Sequence, residues 1–297
     1  MSELSTILIT GGGGQLASDL EQQLAVRGEP AARSHAELDV ADGDSMRQAF
    51  EELRPGLLIN CAAFHNVDVC EREEATALAV NCTAVKRMAE LCAEYDTRLV
   101  HLSTNYVFDG RRADPYSEHD LPSPTSVYAL SKLAGEHAAL AYAPDALVVR
   151  AAGLFGLHGS VSKGGNFVVR MLNRAREQGE LKMVADQLLS PTFTADLAAA
   201  IIEAVDAQAS GVVHLAAAQS CSWHEFTEAI MELAGLDVPV AEVQTTRAPG
   251  GADRPLNGVL ARPGADALGL TPLPSWRDGL ERYMALADLL APSSAQR

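Results

Sequence analysis

Tyr128 and Lys132 lie four residues apart and form the pair in this chain best suited to acid–base chemistry. On a helix, residues at positions i and i+4 share a face, so the phenol and the ammonium would point the same way. Lowering a phenol pKa by about three units requires ~4 kcal/mol. One ammonium at roughly 4 Å, with an effective dielectric constant of ~20, supplies about that much. The pair therefore predicts a proton donor for a carbonyl oxygen, as a carbonyl reductase needs.

A lone tyrosine–lysine pair at this spacing is more often a surface pair, so the interpretation depends on the residues that precede it. Before Tyr128 the chain reads S-T-N-Y-V-F-D-G from Ser103 to Gly110. The apolar run Arg98–Ser103 predicts a strand that delivers Ser103 and Thr104 to the carboxyl edge of a sheet. Ligand sites of open α/β sheets gather at that edge.

A glycine-rich turn near the start of the chain predicts a dinucleotide site. An apolar strand pattern, Leu4–Thr10, runs into G-G-G-G-Q-L-A, and a helical pattern follows from Asp19. Gly11, Gly14 and Ala17 have G-x-x-G-x-x-A spacing, which lets the backbone approach a pyrophosphate at a helix N-terminus. An ordinary glycine turn is the alternative, and the strand–turn–helix context favours the functional reading.

The residues at the end of the second predicted strand, Glu29–Ser34, bear on the choice of cofactor. An acidic residue there would bind the ribose 2′-hydroxyl of NAD, whereas an arginine accommodates the 2′-phosphate of NADP. The chain has Arg33 at this point, and Glu37 and Asp39 come only later. We therefore expect NADPH, with NADH as the alternative, because Arg33 could equally be a solvated loop charge.

Alternating strand and helix patterns predict an α/β fold with a doubly wound parallel sheet of the Rossmann type. We expect a dinucleotide-binding domain over residues 1–151 and a smaller C-terminal α/β substrate lobe over 152–297, with a strand near 210–216 returning to the first domain. One long helix is predicted from Ala75 to Tyr95, and a glycine-rich loop over His158–Gly165 is predicted to be a mobile flap.

Composition excludes several classes of function. The 297 residues are 47% hydrophobic and 21% charged, as in an ordinary globular protein, and the formal net charge of −16 argues against sequence-independent nucleic-acid binding. A local basic pocket could still hold a phosphorylated substrate. Five cysteines without C-x-x-C spacing predict free thiols and no metal site. No signal peptide or membrane span is expected, so we predict a cytoplasmic protein with no membrane partner.

Together these motifs resemble the extended short-chain dehydrogenase/reductases, and more narrowly the dTDP-4-dehydrorhamnose reductases. The resemblance covers about residues 6 to 285. It includes further matches at Asn60-Cys61-Ala62-Ala63-Phe64, Lys132-Leu133-Ala134-Gly135-Glu136, Gly165-Asn166-Phe167-Val168, Ser190-Pro191-Thr192 and Arg254-Pro255-x-Asn257.

The resemblance implies a role for each matched residue. Thr104 would bind the substrate carbonyl, Tyr128 would donate the proton, and Lys132 would bind the nicotinamide ribose and lower the phenol pKa. The implied cofactor contacts are Gly11, Gly14, Gln15 and Leu16 at the pyrophosphate, Asp39 and Val40 at the adenine, Ala62, Ala63 and Asn81 along the cofactor, and Ser103 at the nicotinamide. The implied substrate contacts are Thr104, Asn105, Asn166, Arg254 and Asn257.

Two departures from the family pattern concern the sugar. Asn105 follows Thr104 where these reductases usually carry an acid, and Ala151-Ala152-Gly153 replaces a common T-x-W. For Arg254, a loop salt bridge is the alternative to a diphosphate contact. For Ala62 and Ala63, ordinary helix–sheet packing is the alternative.

The implied reaction is NADPH-dependent reduction of the C4 keto group of a nucleotide-activated sugar, dTDP-4-dehydrorhamnose or a close dTDP-6-deoxyhexose relative. One alternative is a non-catalytic NADP-binding subunit that resembles the methionine adenosyltransferase β subunit, which shares the N-Y-V-F-D-G form. A nucleotide-sugar epimerase is another, whereas a dehydratase would lack its acids after Thr104. The resemblance leaves a homodimer open.

Overall fold

The computed structural model describes residues 6–158, 165–247 and 250–291 of the chain. The strands are β1 (Ile7–Thr10), β2 (Pro30–Arg33), β3 (Leu57–Asn60), β4 (Arg98–Thr104), β5 (Leu147–Ala151), β6 (Leu154–Phe155), β7 (Leu181–Val184), β8 (Leu188–Leu189), β9 (Thr192–Phe193), β10 (Gly211–His214), β11 (Cys221–Ser222) and β12 (Val240–Val243). The α-helices are α1 (Gln15–Leu24), α2 (Gly43–Leu53), α3 (Val67–Cys70), α4 (Glu74–Leu78), α5 (Ala84–Glu94), α6 (Val127–Tyr142), α7 (Phe167–Gln178), α8 (Thr194–Asp206), α9 (Trp223–Leu233), α10 (Pro263–Ala267) and α11 (Trp276–Leu286).

Six strands form one parallel sheet in the order β10-β5-β4-β3-β1-β2. Successive side chains of a strand face opposite sides, so Ile7 and Ile9 pack in one core with α1 and α8, while Leu8 packs in another with α2 and α5. A sheet covered on both faces has fully buried strands, as β1 shows. The predicted doubly wound α/β fold is confirmed.

The strand predicted near 210–216 is β10, which pairs with β5 at the edge of this sheet. Most of the remaining C-terminal half is built from α7, α9 and α11 around a third core that includes Phe155, Phe226 and Tyr283. Three two-stranded sheets, β6-β9, β7-β12 and β8-β11, support it. The division at residue 151 remains a prediction.

The long helix predicted from Ala75 to Tyr95 is present as α4 and α5, which a π-helical turn over Ala79–Thr83 joins without a break. The Asn81 side chain in this turn accepts a hydrogen bond from the Phe64 backbone N–H (2.8 Å) and donates to the Phe64 carbonyl oxygen (3.0 Å) and the Ser131 hydroxyl (2.9 Å). Such a turn inserts an extra residue and redirects the backbone. Here it brings the Asn81 carbonyl against α6.

Gly135 on α6 is the residue that permits this close approach, since a Cβ there would collide with the Asn81 carbonyl oxygen. We expect Gly135→Ala to lower the free energy of unfolding by about 1–3 kcal/mol, because backbone cannot move aside as cheaply as a flexible side chain. Gly43→Ala is the control: its Cβ would make only an ordinary 3.6 Å contact with Arg87, so it should be neutral or stabilising. Urea unfolding of both variants checks this, and equal losses would contradict the packing account.

Within the described ranges, no helix combines the length and apolarity required to cross a bilayer. Residues 159–164 of the predicted flap lie outside the described residues.

Candidate active site

The glycine turn between β1 and α1 packs against the ends of two neighbouring strands. A Cβ on Gly12 would lie 2.7 Å from the backbone carbon of Arg33, and one on Gly11 would lie 3.0 Å from the backbone nitrogen of Ala62. Gly11 also has φ +76°, in the left-handed region that favours glycine. Gly14 begins α1 without a side-chain cap. The turn therefore lies at the carboxyl edge of the sheet with the amide end of α1 free to bind an anion.

The outer side of this turn is open, and its residues fit a dinucleotide. A Cβ on Gly13 would meet no atom within 4 Å. The adjacent Gln15 side chain holds a buried Oε1 that has no hydrogen-bond partner among the described residues. A buried polar atom without a partner is costly, and a ligand would relieve that cost. Gln15 and Leu16 are the first two residues of α1, where backbone N–H groups remain unpaired.

The other predicted cofactor residues lie around the same edge. Arg33 is the last residue of β2, and its carbonyl accepts a hydrogen bond from Gly12 at 2.7 Å. The half-buried Asp39 carboxylate accepts from the Ala41 N–H at 2.9 Å, whereas the Val40 side chain is buried in the core, so only its backbone could meet an adenine. Half-buried Ala62 and Ala63 follow β3.

Ser103, Thr104 and Asn105 are buried together at the end of β4, on the same sheet edge. The Thr104 hydroxyl accepts from the Tyr106 N–H at 3.2 Å and begins a short 3₁₀ turn. The Asn105 amide donates to the Gly258 carbonyl oxygen at 2.9 Å. The Asn105 amide nitrogen thus binds backbone beside the predicted catalytic threonine, and its role as a substrate contact stays a prediction.

Tyr128 lies in the first turn of α6, which begins at a Ser126 cap. Its phenol is hydrogen-bonded to Thr104, and its ring contacts the Tyr106 ring edge-on with centroids 5.8 Å apart. Burial raises the Tyr128 pKa above its ordinary value of 10, and the bond from Thr104 offsets only part of this. The phenol is therefore protonated at neutral pH, as a proton donor requires.

The Lys132 ammonium is bonded to groups of β4, and its predicted lowering of the Tyr128 pKa stays a prediction. Its ammonium donates to the Leu102 carbonyl oxygen at 2.6 Å and lies 3.4 Å from Nε2 of His101. The Leu102 carbonyl and the His101 ring, both on β4, thus hold the Lys132 ammonium. Burial lowers the pKa of Lys132 to about 8, an effect that the neighbouring Glu136 only partly opposes.

A buried ion pair fixes the helix that carries both predicted catalytic residues. Arg150 on β5 donates to Glu136 on α6 through two bonds, Nε to Oε1 at 2.9 Å and Nη2 to Oε2 at 2.7 Å. The two side chains are 4% and 2% exposed, and the Ser103 hydroxyl also donates to Glu136. This pair therefore ties α6 to two strands one turn beyond Lys132.

A cavity of about 1230 Å³ lies between residues 109–113, which follow β4, and the C-terminal half; Thr104, Tyr128 and Lys132 are not among its lining residues. Four arginines line it although the chain is acidic, and so do the contacting rings of Phe167 and Trp223, whose centroids are 4.5 Å apart. Guanidinium groups suit phosphates and aromatic faces suit bases. None of these aromatic residues was among the predicted site residues, because nothing in the local sequence places them together. The arginines are Arg111, Arg112, Arg247 and Arg254.

Arg254 connects the cavity to the predicted acid. It forms an ion pair with Asp68 at 2.7 Å, as the salt-bridge alternative anticipated, and it also hydrogen-bonds the Tyr106 phenol. The Tyr106 ring in turn contacts Tyr128. Arg254 thus lines the cavity while holding the aromatic neighbour of the catalytic phenol.

Asn166 and Asn257 have structural hydrogen bonds at both amide atoms, and their role as substrate contacts stays a prediction. Asn166 caps α7 and donates to the Gly156 carbonyl and the Tyr283 hydroxyl, both at 2.7 Å. The Asn257 amide donates to three backbone carbonyls of residues 112–114 and accepts from the Val259 N–H. Asn257 still borders the cavity, but its amide is occupied by the fold.

Comparison with known proteins places this arrangement among sugar-nucleotide reductases. A family model described as RmlD substrate binding domain matches residues 5–288. The chain is 38% identical over 287 residues to a dTDP-4-dehydrorhamnose reductase of Mycobacterium tuberculosis, covering 94% of this chain and 92% of the relative. It is 36% identical over 282 residues to a dTDP-4-keto-6-deoxy-D-glucose reductase of Streptomyces niveus, covering 94% and 96%. A solved dTDP-4-dehydrorhamnose reductase of Bacillus anthracis in complex with NADP superposes with a TM-score of 0.90 at 32% identity, covering 95% of this chain and 99% of that one.

Proposed function

The chain belongs to the RmlD substrate binding domain family, and we propose that it reduces the C4 keto group of a dTDP-activated 6-deoxy sugar, dTDP-4-dehydrorhamnose or a close relative, with NADPH. It is an NADPH-dependent oxidoreductase, like the named reductases that match it along most of their length. The observation that carries the proposal is that Thr104, Tyr128 and Lys132 meet at the carboxyl end of β4, with Arg254 of the cavity bonded to Tyr106 beside Tyr128.

The chain's own residues supply the proton and the electrostatic support for the reduction. When bound, NADPH supplies the hydride. The Thr104 hydroxyl positions the C4 oxygen by a hydrogen bond, and the protonated Tyr128 phenol donates its proton to that oxygen. The Lys132 ammonium stabilises the negative charge that develops on the phenol oxygen, and buried surroundings strengthen this effect.

The cavity supports a nucleotide-activated sugar as the substrate. Guanidinium groups would hold the diphosphate, with Arg254 nearest to the Tyr106–Tyr128 ring pair. The paired rings of Phe167 and Trp223 would hold the base. Three aspartates, Asp109, Asp186 and Asp253, line the cavity together with the four arginines, so the lining is less acidic than the chain with its net charge of −16.

Arg33 gives a prediction for the choice of cofactor. We expect Arg33→Ala to weaken NADPH binding about 10- to 100-fold, since a hydrogen bond to a charged group contributes about 1.5–3 kcal/mol. NADH lacks the 2′-phosphate, so its binding should change little. Fluorescence titration of both cofactors measures this. Arg176→Ala, which removes one exposed arginine from α7, is the control; equal losses for NADPH and NADH would contradict the assignment.

A substrate panel tests the proposed function itself. NADPH oxidation should be fast with dTDP-4-dehydrorhamnose or another dTDP-4-keto-6-deoxy sugar and absent with 4-hydroxy analogues. The absence of turnover with every member of the panel would favour the regulatory-subunit alternative. Asn105 and Gly153, where the sequence departs from the reductase pattern, make the choice of sugar a question for this panel. A homodimer and a cytoplasmic location remain predictions.

A further inference from the structure

Three buried polar side chains form a line of contacts that ends at Lys132. Thr10, Asn60 and His101 occupy matched register positions on β1, β3 and β4, and each is at most 1% exposed. The Thr10 hydroxyl donates to Oδ1 of Asn60 at 2.6 Å, and Nδ2 of Asn60 lies 3.0 Å from Nδ1 of His101. Nε2 of His101 lies 3.4 Å from the Lys132 nitrogen. Neither Asn60 nor His101 takes part in the chemistry described above.

The backbone fixes the direction of these hydrogen bonds. The Ala62 N–H, which can only donate, points at Oδ1 of Asn60 at 3.2 Å. Oδ1 must therefore face Ala62, and the amide NH₂ of Asn60 must face His101 and donate to its Nδ1. Burial and the charge of Lys132 hold the His101 pKa well below its ordinary value, so the ring is neutral. A neutral ring that accepts at Nδ1 carries its proton on Nε2.

The imidazole N–H consequently faces the lysine nitrogen. An ammonium is also a donor and cannot accept that N–H, whereas the lone pair of a neutral amine can. The His101 ring therefore favours the amine form of Lys132. The other groups that face Lys132 are the Leu102 carbonyl, which accepts from it, the Glu136 carboxylate, which favours the ammonium but is shared with Arg150, and the buried Cys61 thiol.

We propose that Asn60 and His101 are positioning residues for Lys132: they present an imidazole N–H to the lysine nitrogen and so determine in which protonation state it supports the Tyr128 phenol. They act through Lys132 and touch neither substrate nor the phenol. The role rests on the proposed function. The predicted consequence is that kcat falls as the pH rises through about 8, where Lys132 loses its proton.

The tautomer of His101 can be measured in the unaltered protein. Nitrogen-15 NMR of histidine-labelled protein should show the His101 ring with a protonated Nε2 and an unprotonated Nδ1 throughout the range from about pH 6 to pH 9. The chain has eight histidines, and loss of one spin system in His101→Gln assigns the signal. A ring protonated on Nδ1 alone, or on both nitrogens, would overturn the proposal. This readout requires no turnover, so it stays valid even if the proposed reaction is wrong.

Asn60→Asp should reverse the tautomer while preserving the shape of the side chain. The second carboxylate oxygen would accept from Nδ1–H, which leaves the Nε2 lone pair to accept from the Lys132 ammonium. We expect the Lys132 pKa and the alkaline limb of the kcat profile both to rise by about one pH unit, a tenfold change in proton affinity. Carbon-13 NMR of the lysine ε-carbon reads this directly once Lys86, Lys163 and Lys182 are changed to arginine, because the chain has no other lysine besides Lys132.

A double variant separates two possible causes of the rise in the Lys132 pKa: the changed tautomer of His101 and the attraction between the new carboxylate and the ammonium. In Asn60→Asp with His101→Leu the carboxylate remains but the imidazole is gone. The reference is His101→Leu alone, which itself removes the N–H that disfavours the ammonium. Added to it, Asn60→Asp should raise the Lys132 pKa by much less than it does when His101 is present, and an equal rise would show that the carboxylate acts through its charge alone and overturn the proposal. Thermal unfolding confirms that each variant is folded. If the double variant does not fold, the His101 tautomer measured in the unaltered protein decides whether the proposal stands.

Discussion

Replacing Tyr128 with phenylalanine should lower kcat by about 10²–10⁴-fold, the usual contribution of a positioned general acid. The ring would still contact Tyr106 and fill the same space, so the loss is confined to the hydroxyl that Thr104 binds. The Kd for NADPH should stay near its unaltered value because the glycine turn is unchanged. Stopped-flow measurement of NADPH oxidation, together with a fluorescence titration of NADPH, separates the two effects.

Tyr142→Phe is the matched control for this variant. Tyr142 is the last residue of the same helix and is 43% exposed. Its ring contacts the Lys86 ammonium rather than a predicted catalytic residue of the sheet edge. Its kcat should equal that of the unaltered enzyme. A Tyr128→Phe enzyme that retained near-normal kcat would show that another group donates the proton.

Replacing Arg150 with methionine should lower the free energy of unfolding by about 3–5 kcal/mol, because it leaves the Glu136 carboxylate buried without its cation. Only the Ser103 hydroxyl would remain as a described side-chain donor to Glu136. Adding Glu136→Leu should restore much of the loss, since a buried ion pair can be replaced by apolar groups of similar volume at little cost. Chemical denaturation of the single and double variants measures both changes.

An exposed ion pair of the same geometry provides the comparison. Arg47 and Glu94 make two bonds, of 2.8 and 2.9 Å, with side chains 47% and 50% exposed. Arg47→Met should cost much less than Arg150→Met because water screens the exposed pair. Similar losses for Arg47→Met and Arg150→Met would contradict the claim that burial gives the Arg150–Glu136 pair its importance.

The features that the sequence predicts best are those carried by short, local patterns. The strand that ends at Thr104 and the glycine turn at Gly11–Gly14 follow from apolar runs and glycine spacing, and the sheet then brings them to one edge because parallel strands share that edge. The Tyr128–Lys132 pair needed only helical spacing.

The features that the sequence did not predict depend on contacts between distant segments. The π-helical turn at Asn81 is set by Phe64 and by the close approach of Gly135. The orientation of Lys132 is set by the Leu102 carbonyl and by His101, thirty residues or more away. Helical spacing predicts which residues share a face, but it does not predict which group the Lys132 ammonium contacts.

Amide side chains show the same limit. Asn166 and Asn257 match a family pattern, yet their amides bind the chain's own backbone and the Tyr283 hydroxyl. An asparagine offers the same donors and acceptors to a ligand and to its own fold. Only the folded arrangement distinguishes the two uses.

The most direct test of net reduction at C4 is to follow a deuterium label from the cofactor to the sugar. NADPH deuterated at C4 of the nicotinamide, incubated with dTDP-4-dehydrorhamnose, should yield a sugar with one deuterium at its own C4 and a stoichiometric amount of NADP⁺, measured by NMR and mass spectrometry. An unlabelled sugar product formed without net oxidation of NADPH would contradict the reductase account and point instead to internal return of hydride, as in an epimerase.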